Sequence, residues 1–211
     1  MIFADRQVVL ASASPRRLEI LRQIGIEPEL HPVAVEEDNT LTAQRDEEAI
    51  VSANAARKAQ AAAPAHADAI VIGADTIVAF EGAIFGKPAN REDAKRMLEA
   101  LSGNTHKVYT GICLIDTKSG KTVGGASVCE VTFPKLKERE IDEYLDSGEP
   151  FDKAGAYGIQ GRGALLVDRI EGDYYTVVGL SVPLLRRLEI ILQMVYREAS
   201  ALEEKRFFSR K

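Results

Sequence analysis

Apolar residues along the chain follow two spacings, and their order predicts strands interleaved with helices. Short apolar runs rich in β-branched residues, bounded by glycine and polar residues, are typical of strands. Segments rich in Ala, Glu, Leu and Lys, with apolar residues three or four positions apart, are typical of helices. The predicted strands are residues 7–11, 70–80, 83–85, 108–116, 122–133, 164–170 and 174–178. The predicted helices are residues 15–24, 42–63, 91–101, 138–145 and a last helix with an apolar face between residues 184 and 196.

Residues with strong cap and turn preferences support these boundaries. Ser14 fits the N-cap of the first helix, Pro15 its first position and Gly25 its left-handed end. Asn90 fits the N-cap of the third helix, and Gly103 closes that helix. Strands that alternate with helices indicate an α/β fold, and the adjacent hairpins favour a mixed sheet over an all-parallel one.

Composition and charge set further bounds. The 211 residues are 45% hydrophobic and 28% charged, close to the average of globular proteins. We expect one domain over residues 1–202 and a charged, frayed tail over residues 203–211. The net charge of −5 argues against binding to a nucleic-acid polymer, because affinity for a polyanion needs an excess of Lys and Arg. A small anionic ligand needs only a few basic groups at one place.

The cysteines and the apolar segments indicate a reducing, cytoplasmic setting. Cys113 and Cys129 lie in separate apolar strands without a CxxC motif, so two buried thiols are expected rather than zinc or dithiol chemistry. The first apolar run is too short for a secretory signal. Residues 182–195 are interrupted by charged side chains, so no membrane association is expected.

The segment from Ser12 to Arg17 combines serines and arginines where a strand turns into a helix. The free N–H groups and the positive dipole of a helix N-terminus attract phosphate. Arg16 and Arg17 add positive charge at that same end, which suggests that an anion offsets it, and guanidinium groups suit phosphate oxygens. The pattern predicts an anion site with Ser12, Ser14, Arg16 and Arg17. A serine-capped helix with two solvated arginines is the open alternative.

Asp75 stands in the middle of the otherwise apolar strand of residues 70–78. Burial of an unpaired carboxylate is costly, so Asp75 should bind a metal, pair with a basic group or face a cleft. Gly73 and Ala74 are small enough to let a ligand approach the backbone. An Asp that caps a strand end is the alternative, but the burial argument favours a functional carboxylate.

Other polar residues carry weaker signals. Lys87 lies in a loop after the predicted hairpin, and the glycine-rich residues 152–163 surround Tyr157 and Gln160. Gln160 offers a donor and an acceptor to the edge of a base, while a structural turn is the alternative for this segment. The 3 histidines have no ligand spacing, and neither a GxSxG nor a GxGxxG motif occurs. Histidine metal sites, serine-hydrolase triads and dinucleotide redox chemistry therefore lack support.

Taken together and in this order, several segments resemble the Maf family of nucleotide pyrophosphatases. The matching segments are residues 12–17, 36–37, 57–59, 73–76, 86–88, 101–111 and 152–161. They extend across almost the whole chain, and their combination is specific although several are short. The form KAGAYGIQG at residues 153–161 resembles the subgroup that hydrolyses dTTP and UTP rather than the 7-methyl-GTP subgroup. No motif position departs from the family pattern.

The resemblance implies an extended, twisted mixed β-sheet flanked by helices, with the substrate in a central cleft between two lobes. It implies that Asp75 is the catalytic proton acceptor. It also implies that Arg16, Thr76 and Gln160 shape the choice of substrate. Homodimers are common in such folds, although no residue pattern here requires one.

The resemblance places Glu37, Lys58 and Lys87 at the reactive end of the cleft, with a divalent cation, usually Mg²⁺ or Mn²⁺, as cofactor. We expect the lysines to add positive charge near the scissile bond. Asp75, with Glu37, would bind the metal or orient a water for in-line attack at the α-phosphorus. The sequence leaves open whether Asp75 takes the proton directly or acts through metal-bound water.

The activity that the resemblance implies is the hydrolysis of dTTP, UTP and modified uridine triphosphates, such as 5-methyl-UTP and pseudo-UTP. The products are the monophosphate and pyrophosphate, and the implied role is the removal of non-standard nucleotides. Two alternatives stay open at this point. One is a nucleotidyltransferase that joins a nucleotide to an acceptor, and the other is a non-catalytic nucleotide-binding regulator of cell division.

Overall fold

A seven-stranded sheet runs through the molecule and collects strands from separate parts of the chain. The computed structural model describes residues 3, 6–43 and 45–208, with side chains up to residue 196. The strands are β1 (Gln7–Leu10), β2 (Glu29–Leu30), β3 (Ala69–Phe80), β4 (Ala83–Phe85), β5 (Thr105–Asp116), β6 (Lys121–Thr132) and β7 (Arg169–Gly172). Their order is β2-β1-β3-β5-β6-β7, with β4 paired to β3. β1 is parallel to β2 and β3 and the other pairs are antiparallel, so the predicted mixed sheet is confirmed.

Helices pack on both faces of this sheet. They are α1 (Pro15–Gln23), α2 (Glu47–Ala62), α3 (Arg91–Leu101), α4 (Glu138–Leu145), α5 (Tyr174–Val178) and α6 (Val182–Phe208). Alternate residues of β3 face opposite ways, as the period of a strand requires. Val71 packs with α2 on one face, Ile72 packs with α1 and α6 on the other, and Val78 packs with α3 and α4 further along. Two hydrophobic cores therefore share one face of the sheet, and they form the two lobes.

Helix α2 begins later than predicted. The predicted helix covers residues 42–63, but α2 starts at Glu47. The side chain of Asp46 accepts a hydrogen bond at 2.8 Å from a backbone N–H of the first turn, which stabilises the helix start at this point. Thr42 and Arg45 instead pair with each other as an isolated antiparallel bridge.

The predicted strand at residues 164–170 is largely wrong. Gly161–Leu166 forms a 3₁₀ helix, and only the last residues of the predicted segment enter β7. Gly161 has a φ of 64°, and the N–H groups of Arg162 and Gly163 donate to the carboxylate of Glu149. A segment whose N–H groups bond to a side chain in a tight turn cannot offer them to a neighbouring strand.

The predicted strand at residues 174–178 is also wrong, because these residues form helix α5. Asp173 accepts a hydrogen bond from the N–H of Tyr175 at 3.1 Å, and Gly179 ends the helix with a φ of 120°. Tyr, Thr and Val favour strands by composition. End signals on both sides outweigh that weak preference in so short a segment.

Glycines in two central strands let α2 lie directly on the sheet. A Cβ at Gly73 would come within 2.1 Å of a backbone oxygen of α2, and one at Gly111 within 2.3 Å of another. Gly73 therefore serves helix packing, and the expected room for a ligand at this position is filled by α2. The close approach brings Asn54 and Lys58 of α2 within hydrogen-bonding distance of β3.

The last helix extends into the predicted tail. The backbone of α6 is helical to residue 208, so it includes most of the predicted tail, while residues 209–211 lie outside the described part. The domain boundary at residue 202 stays a prediction.

Cys113 and Cys129 are buried free thiols as expected, and burial raises the pKa of Cys113 to about 11. Among the described residues, no helix has both the length and the hydropathy needed to cross a bilayer.

Candidate functional site

A cleft of about 380 Å³ opens between the two cores, where β1 ends and β3 passes below. Ile72 and Val78 of β3 belong to different cores, and Thr76 lies between them on the same face. The N-terminus of α1 forms one wall, and the glycine-rich segment forms the other. The residues that the sequence assigned to substrate or metal all line this cleft: Ser12, Ser14, Arg16, Arg17, Glu37, Lys58, Asp75, Thr76, Lys87 and Gln160.

Asp75 lines the cleft from the face of β3 that α2 covers, and it is only 3% exposed. Its Oδ1 accepts a hydrogen bond from Lys58 Nζ at 2.6 Å, and its Oδ2 accepts one from Asn54 Nδ2 at 2.9 Å. A buried carboxylate remains stable as an ion when charged and neutral donors bind its oxygens. Each oxygen has more than one acceptor site, so Asp75 can still bind a water or a cation from the cleft.

Arg17 is a buried cation below the N-terminus of α1. Its Nε donates to the backbone oxygen of Gly179 at 2.9 Å, and its Nη1 donates to that of Ala74 at 2.9 Å. The same Nη1 donates to Ser12 Oγ at 3.0 Å, and Nη2 donates to Thr76 Oγ1 at 3.1 Å. All these partners are uncharged, and in the described residues no carboxylate forms an ion pair with Arg17. Burial lowers the pKa of Arg17, and its charge is left for an anionic ligand to neutralise.

The N-terminus of α1 opens toward the same space. Ser14 has the N-cap position, but its hydroxyl makes no capping hydrogen bond. The backbone N–H of Ser14 donates to Ser12 Oγ at 3.2 Å instead. Ser12 Oγ thus accepts from both Ser14 and Arg17, and its own hydrogen can be donated to a ligand. This hydroxyl and the first N–H groups of the helix suit phosphate oxygens.

An ion pair connects the two walls of the cleft. Arg16 Nη1 of α1 lies 3.0 Å from Asp152 Oδ2 in the glycine-rich segment, and Lys153 Nζ lies 2.6 Å from Asp152 Oδ1. Burial alone would raise the pKa of Asp152, but hydrogen bonds from Lys153 and Arg16 outweigh it, so this pKa is lowered. Arg16 is thus held by a carboxylate at the mouth of the cleft and not solvated alone.

Lys87 and Gln160 face the cleft from the wall opposite α1. The N–H of Gly155 donates to the backbone oxygen of Gly86 at 3.0 Å, which joins the glycine-rich segment to the loop that carries Lys87. Within the part of the chain that the structure describes, the side chains of Lys87 and Gln160 have no hydrogen bond or ion pair. Both side chains can therefore turn to a ligand without breaking a contact.

Two carboxylates in the cleft meet at one ammonium group. Lys58 Nζ lies 2.6 Å from Glu37 Oε1 and 2.6 Å from Asp75 Oδ1. Among the described residues, no group of three or more His, Cys, Asp or Glu side chains could hold a metal. A Mg²⁺ site commonly uses one or two carboxylates and takes its other ligands from water and substrate phosphates. Glu37 and Asp75 fit such a site, because their oxygens already converge on a positive charge.

Sequence reasoning did not single out two side chains that the structure places at the site. Asn54 contacts the buried carboxylate, and Asp152 holds the arginine at the mouth. Asn54 carried a usable signal, since it precedes Lys58 by four residues on one helix and therefore shares its face. Glu36, which the sequence grouped with Glu37, is exposed and does not line the cleft.

Basic groups from separate segments and a helix N-terminus thus surround one buried carboxylate. These features define an α/β protein with one candidate acid–base group and a cleft whose cations suit a polyphosphate. The sequence profile described as Maf-like protein matches residues 7–189. The chain belongs to the Maf family, which confirms the resemblance seen in its motifs.

Two relatives found by sequence similarity support the same assignment. A dTTP/UTP pyrophosphatase of Bacillus cereus is 50% identical over 182 residues, which are 86% of this chain and 93% of the relative. A dTTP/UTP pyrophosphatase of Bacillus anthracis matches with the same identity and coverage. Among solved structures, a HAM1 protein from Coxiella burnetii aligns with 72% of this chain and 86% of its own, at a TM-score of 0.47 and 18% identity.

Proposed function

We propose that this chain is a nucleoside triphosphate pyrophosphatase that cleaves dTTP and UTP to the monophosphate and pyrophosphate. The observation that carries this proposal is the placement of Asp75, a buried carboxylate in the same cleft as Arg17, Lys58 and Lys87. A polyphosphate is the ligand that such a group of cations suits. The relatives named dTTP/UTP pyrophosphatase, at 50% identity, support this choice of substrate.

The phosphate chain binds between the N-terminus of α1 and Lys87. Ser12 donates its hydroxyl hydrogen, Arg17 supplies charge from below, and Lys87 is free to approach from the opposite wall. Asp75 accepts a proton from the water that attacks the α-phosphorus, while the bond from this phosphorus to the bridging oxygen breaks and pyrophosphate leaves. Positioning and charge neutralisation supply most of the rate enhancement in reactions of this type.

Glu37 and Asp75 are the residues that would hold a divalent cation, Mg²⁺ or Mn²⁺. Pyrophosphatases of the Maf family generally depend on such a metal, which neutralises charge on the triphosphate when bound. Lys58 lies between the two carboxylates, and its positive charge offsets the repulsion between them. Lys58 also lines the cleft, where its ammonium group adds positive charge for phosphate oxygens.

Thr76, Gln160 and Arg16 select the base. The amide of Gln160, together with Thr76, reads the O4 and N3–H edge that uracil and thymine share. Cytosine reverses these donor and acceptor roles, and a purine needs more room. A wrong base leaves polar groups of the cleft unpaired, which lowers kcat/KM. The bases of 5-methyl-UTP and pseudo-UTP retain this edge, so we propose that both are substrates. The enzyme then removes modified nucleotides in the cytoplasm. A homodimer stays a prediction.

Phosphorus NMR of one reaction mixture tests the activity and the broken bond together. UTP or dTTP with Mg²⁺ or Mn²⁺ should yield monophosphate and pyrophosphate without any acceptor. Products that require an acceptor would indicate a nucleotidyltransferase, and tight binding without turnover would indicate a regulator. Turnover of UTP, dTTP, CTP and GTP should show a preference for the first two, and a preference for GTP would reject the subgroup.

A further inference from the structure

A chain of hydrogen bonds with one fixed direction passes through Thr76. Arg17 Nη2 donates to Thr76 Oγ1 at 3.1 Å, because a guanidinium group has only donors. Thr110 Oγ1 donates to the backbone oxygen of Thr176 at 2.8 Å, because a carbonyl only accepts. Thr110 has thereby used its one hydrogen. In the 2.9 Å hydrogen bond between the hydroxyls of Thr76 and Thr110, Thr76 must therefore be the donor.

These bonds set the polarity of the Thr76 hydroxyl. Its hydrogen points to Thr110, which is fully buried, so water cannot replace this partner. One of its two lone pairs accepts from Arg17, and one lone pair remains. Thr76 can consequently offer a ligand an acceptor but not a donor.

The remaining lone pair is open to the cleft. Thr76 is half-buried and lines the cleft directly. Gly179 lies beside it, and a Cβ at that position would be 3.4 Å from Thr76 Oγ1. Gly179 also has a φ of 120°, which residues with a side chain rarely adopt. The backbone therefore favours glycine at this position, so no side chain from residue 179 covers the Thr76 hydroxyl.

We propose that Thr110 is a positioning residue for base selection: it holds the Thr76 hydroxyl as an acceptor, which receives the N3–H of uracil or thymine. Gln160 then uses its amide N–H for O4 of the same base. This inference rests on the proposed function and adds the residue that sets the polarity of the contact. Thr110 acts through Thr76 and does not touch the substrate.

The chemistry of the bases explains why this polarity matters. Uracil, thymine and pseudouracil each carry a hydrogen on N3, whereas N3 of cytosine is a bare acceptor. If N3 of cytosine faced the Thr76 hydroxyl, which acts only as an acceptor, two lone pairs would oppose each other in a partly buried site. A hydroxyl free to rotate could instead donate to cytosine, so the discrimination depends on Thr110 holding it.

The test compares variants of Thr110 by their selectivity. Thr110→Val keeps the shape and removes the hydroxyl, so Thr76 becomes free to donate. We expect the ratio of kcat/KM for UTP to that for CTP to fall about tenfold or more. N3-methyl-UTP offers neither a hydrogen nor an acceptor at N3, so the discrimination between UTP and N3-methyl-UTP should stay unchanged. Thr110→Ser retains the hydroxyl and should keep the wild-type UTP to CTP ratio.

Thr105→Val is the matched control. Thr105 lies on the same strand, pairs with the hydroxyl of Thr132 at 2.9 Å and is exposed away from the cleft, so its loss should leave selectivity unchanged. A folded, active Thr110→Val variant with the wild-type UTP to CTP ratio would overturn the inference. So would a variant that changes discrimination between UTP and dUTP only, since the acceptor would then face the sugar. Inactive wild-type protein would instead refute the proposed function.

Discussion

Asp75 combines deep burial with negative charge, and its two direct partners make that combination tolerable. Lys58 supplies an opposite charge at 2.6 Å from Oδ1, and Asn54 supplies a neutral donor at 2.9 Å from Oδ2. A partner on each oxygen limits the rotation of the carboxylate. The acceptor sites that face the cleft are thereby held in fixed directions, as the proposed role toward an attacking water requires.

Asp75→Asn retains the shape of the side chain but cannot accept the proton of the attacking water. We expect kcat for UTP to fall by about 100-fold or more, as for the loss of a general base. Steady-state kinetics measure this, with circular dichroism to confirm the fold. Asp68→Asn is a suitable control, because Asp68 is an exposed carboxylate that pairs with Arg6 and Lys118 away from the cleft. Near-normal turnover of a folded Asp75→Asn variant would remove this residue from the mechanism.

Asn54→Leu replaces the buried amide with an apolar side chain of similar volume. Asp75 Oδ2 then loses its donor and the carboxylate is less well oriented. We expect kcat to fall about tenfold while KM changes less than about twofold, because the phosphate-binding groups are untouched. Gln60→Leu, an exposed amide on the same helix, should behave like wild type. A raised KM at unchanged kcat would show that Asn54 contributes to substrate binding instead.

Helix α2 brings Asn54 and Lys58 to the carboxylate of Asp75 because two strands contain glycine below the helix. Gly73 and Gly111 leave no space between the backbone of the sheet and that of the helix. The distance from Lys58 to Asp75 therefore depends on residues that take no part in the chemistry. Any side chain at these positions must displace the helix.

Gly73→Ala places a Cβ 2.1 Å from the backbone oxygen of Ala55, so α2 must shift. We expect the free energy of unfolding to fall by roughly 1–3 kcal/mol, as for overpacking elsewhere, and kcat to fall with it. Urea denaturation and kinetics on the same samples measure both. At Gly125 of β6 an added Cβ meets only side-chain atoms, Leu184 Cδ1 at 3.4 Å and Leu188 Cδ2 at 3.9 Å, so Gly125→Ala serves as the control. Equal stability of the two variants would contradict the packing argument.

The imidazole ring of His106 makes the stability of the protein depend on pH. It lies in the core that includes α3 and α4. His106 Nε2 lies 2.6 Å from the hydroxyl of Tyr157, and Phe133 packs edge-on against the ring. His106 Nδ1 is buried and has no hydrogen-bond partner among the described residues. Burial lowers the pKa of His106 from 6.5 to about 4, since a protonated ring would carry an unsatisfied charged donor.

Between pH 6.5 and 4 the unfolded chain therefore binds a proton on His106 that the folded chain does not. The free energy of unfolding is highest above pH 6.5 and falls as the pH drops through this window, by about 3 kcal/mol from this group. His106→Gln should remove that part of the slope. Urea denaturation from pH 4 to 7.5 measures it. The same slope in wild type and variant would show that other groups determine the pH dependence.

The sequence by itself determined the family and most of the elements, including strands β1, β3, β4, β5 and β6, but it did not predict the short strand β2. The spacing of apolar residues reflects which side chains are buried, and this is a local property of each segment. The motif residues from Ser12 to Gln160 were recognisable for the same reason, since each belongs to a short segment. Strand predictions failed at residues 164–170 and 174–178, where a distant carboxylate or a local cap binds the N–H groups.

Only the tertiary structure decided which side chains meet. That Arg17 is buried while Arg16 pairs with Asp152 depends on how the two lobes approach, and no local pattern distinguishes the two arginines. Gly73 was ambiguous between ligand access and helix packing until the position of α2 was known. The polarity of Thr76 depends on partners from three separate segments. Such contacts form only when the whole chain is folded, because each needs residues far apart in sequence to lie within hydrogen-bonding distance.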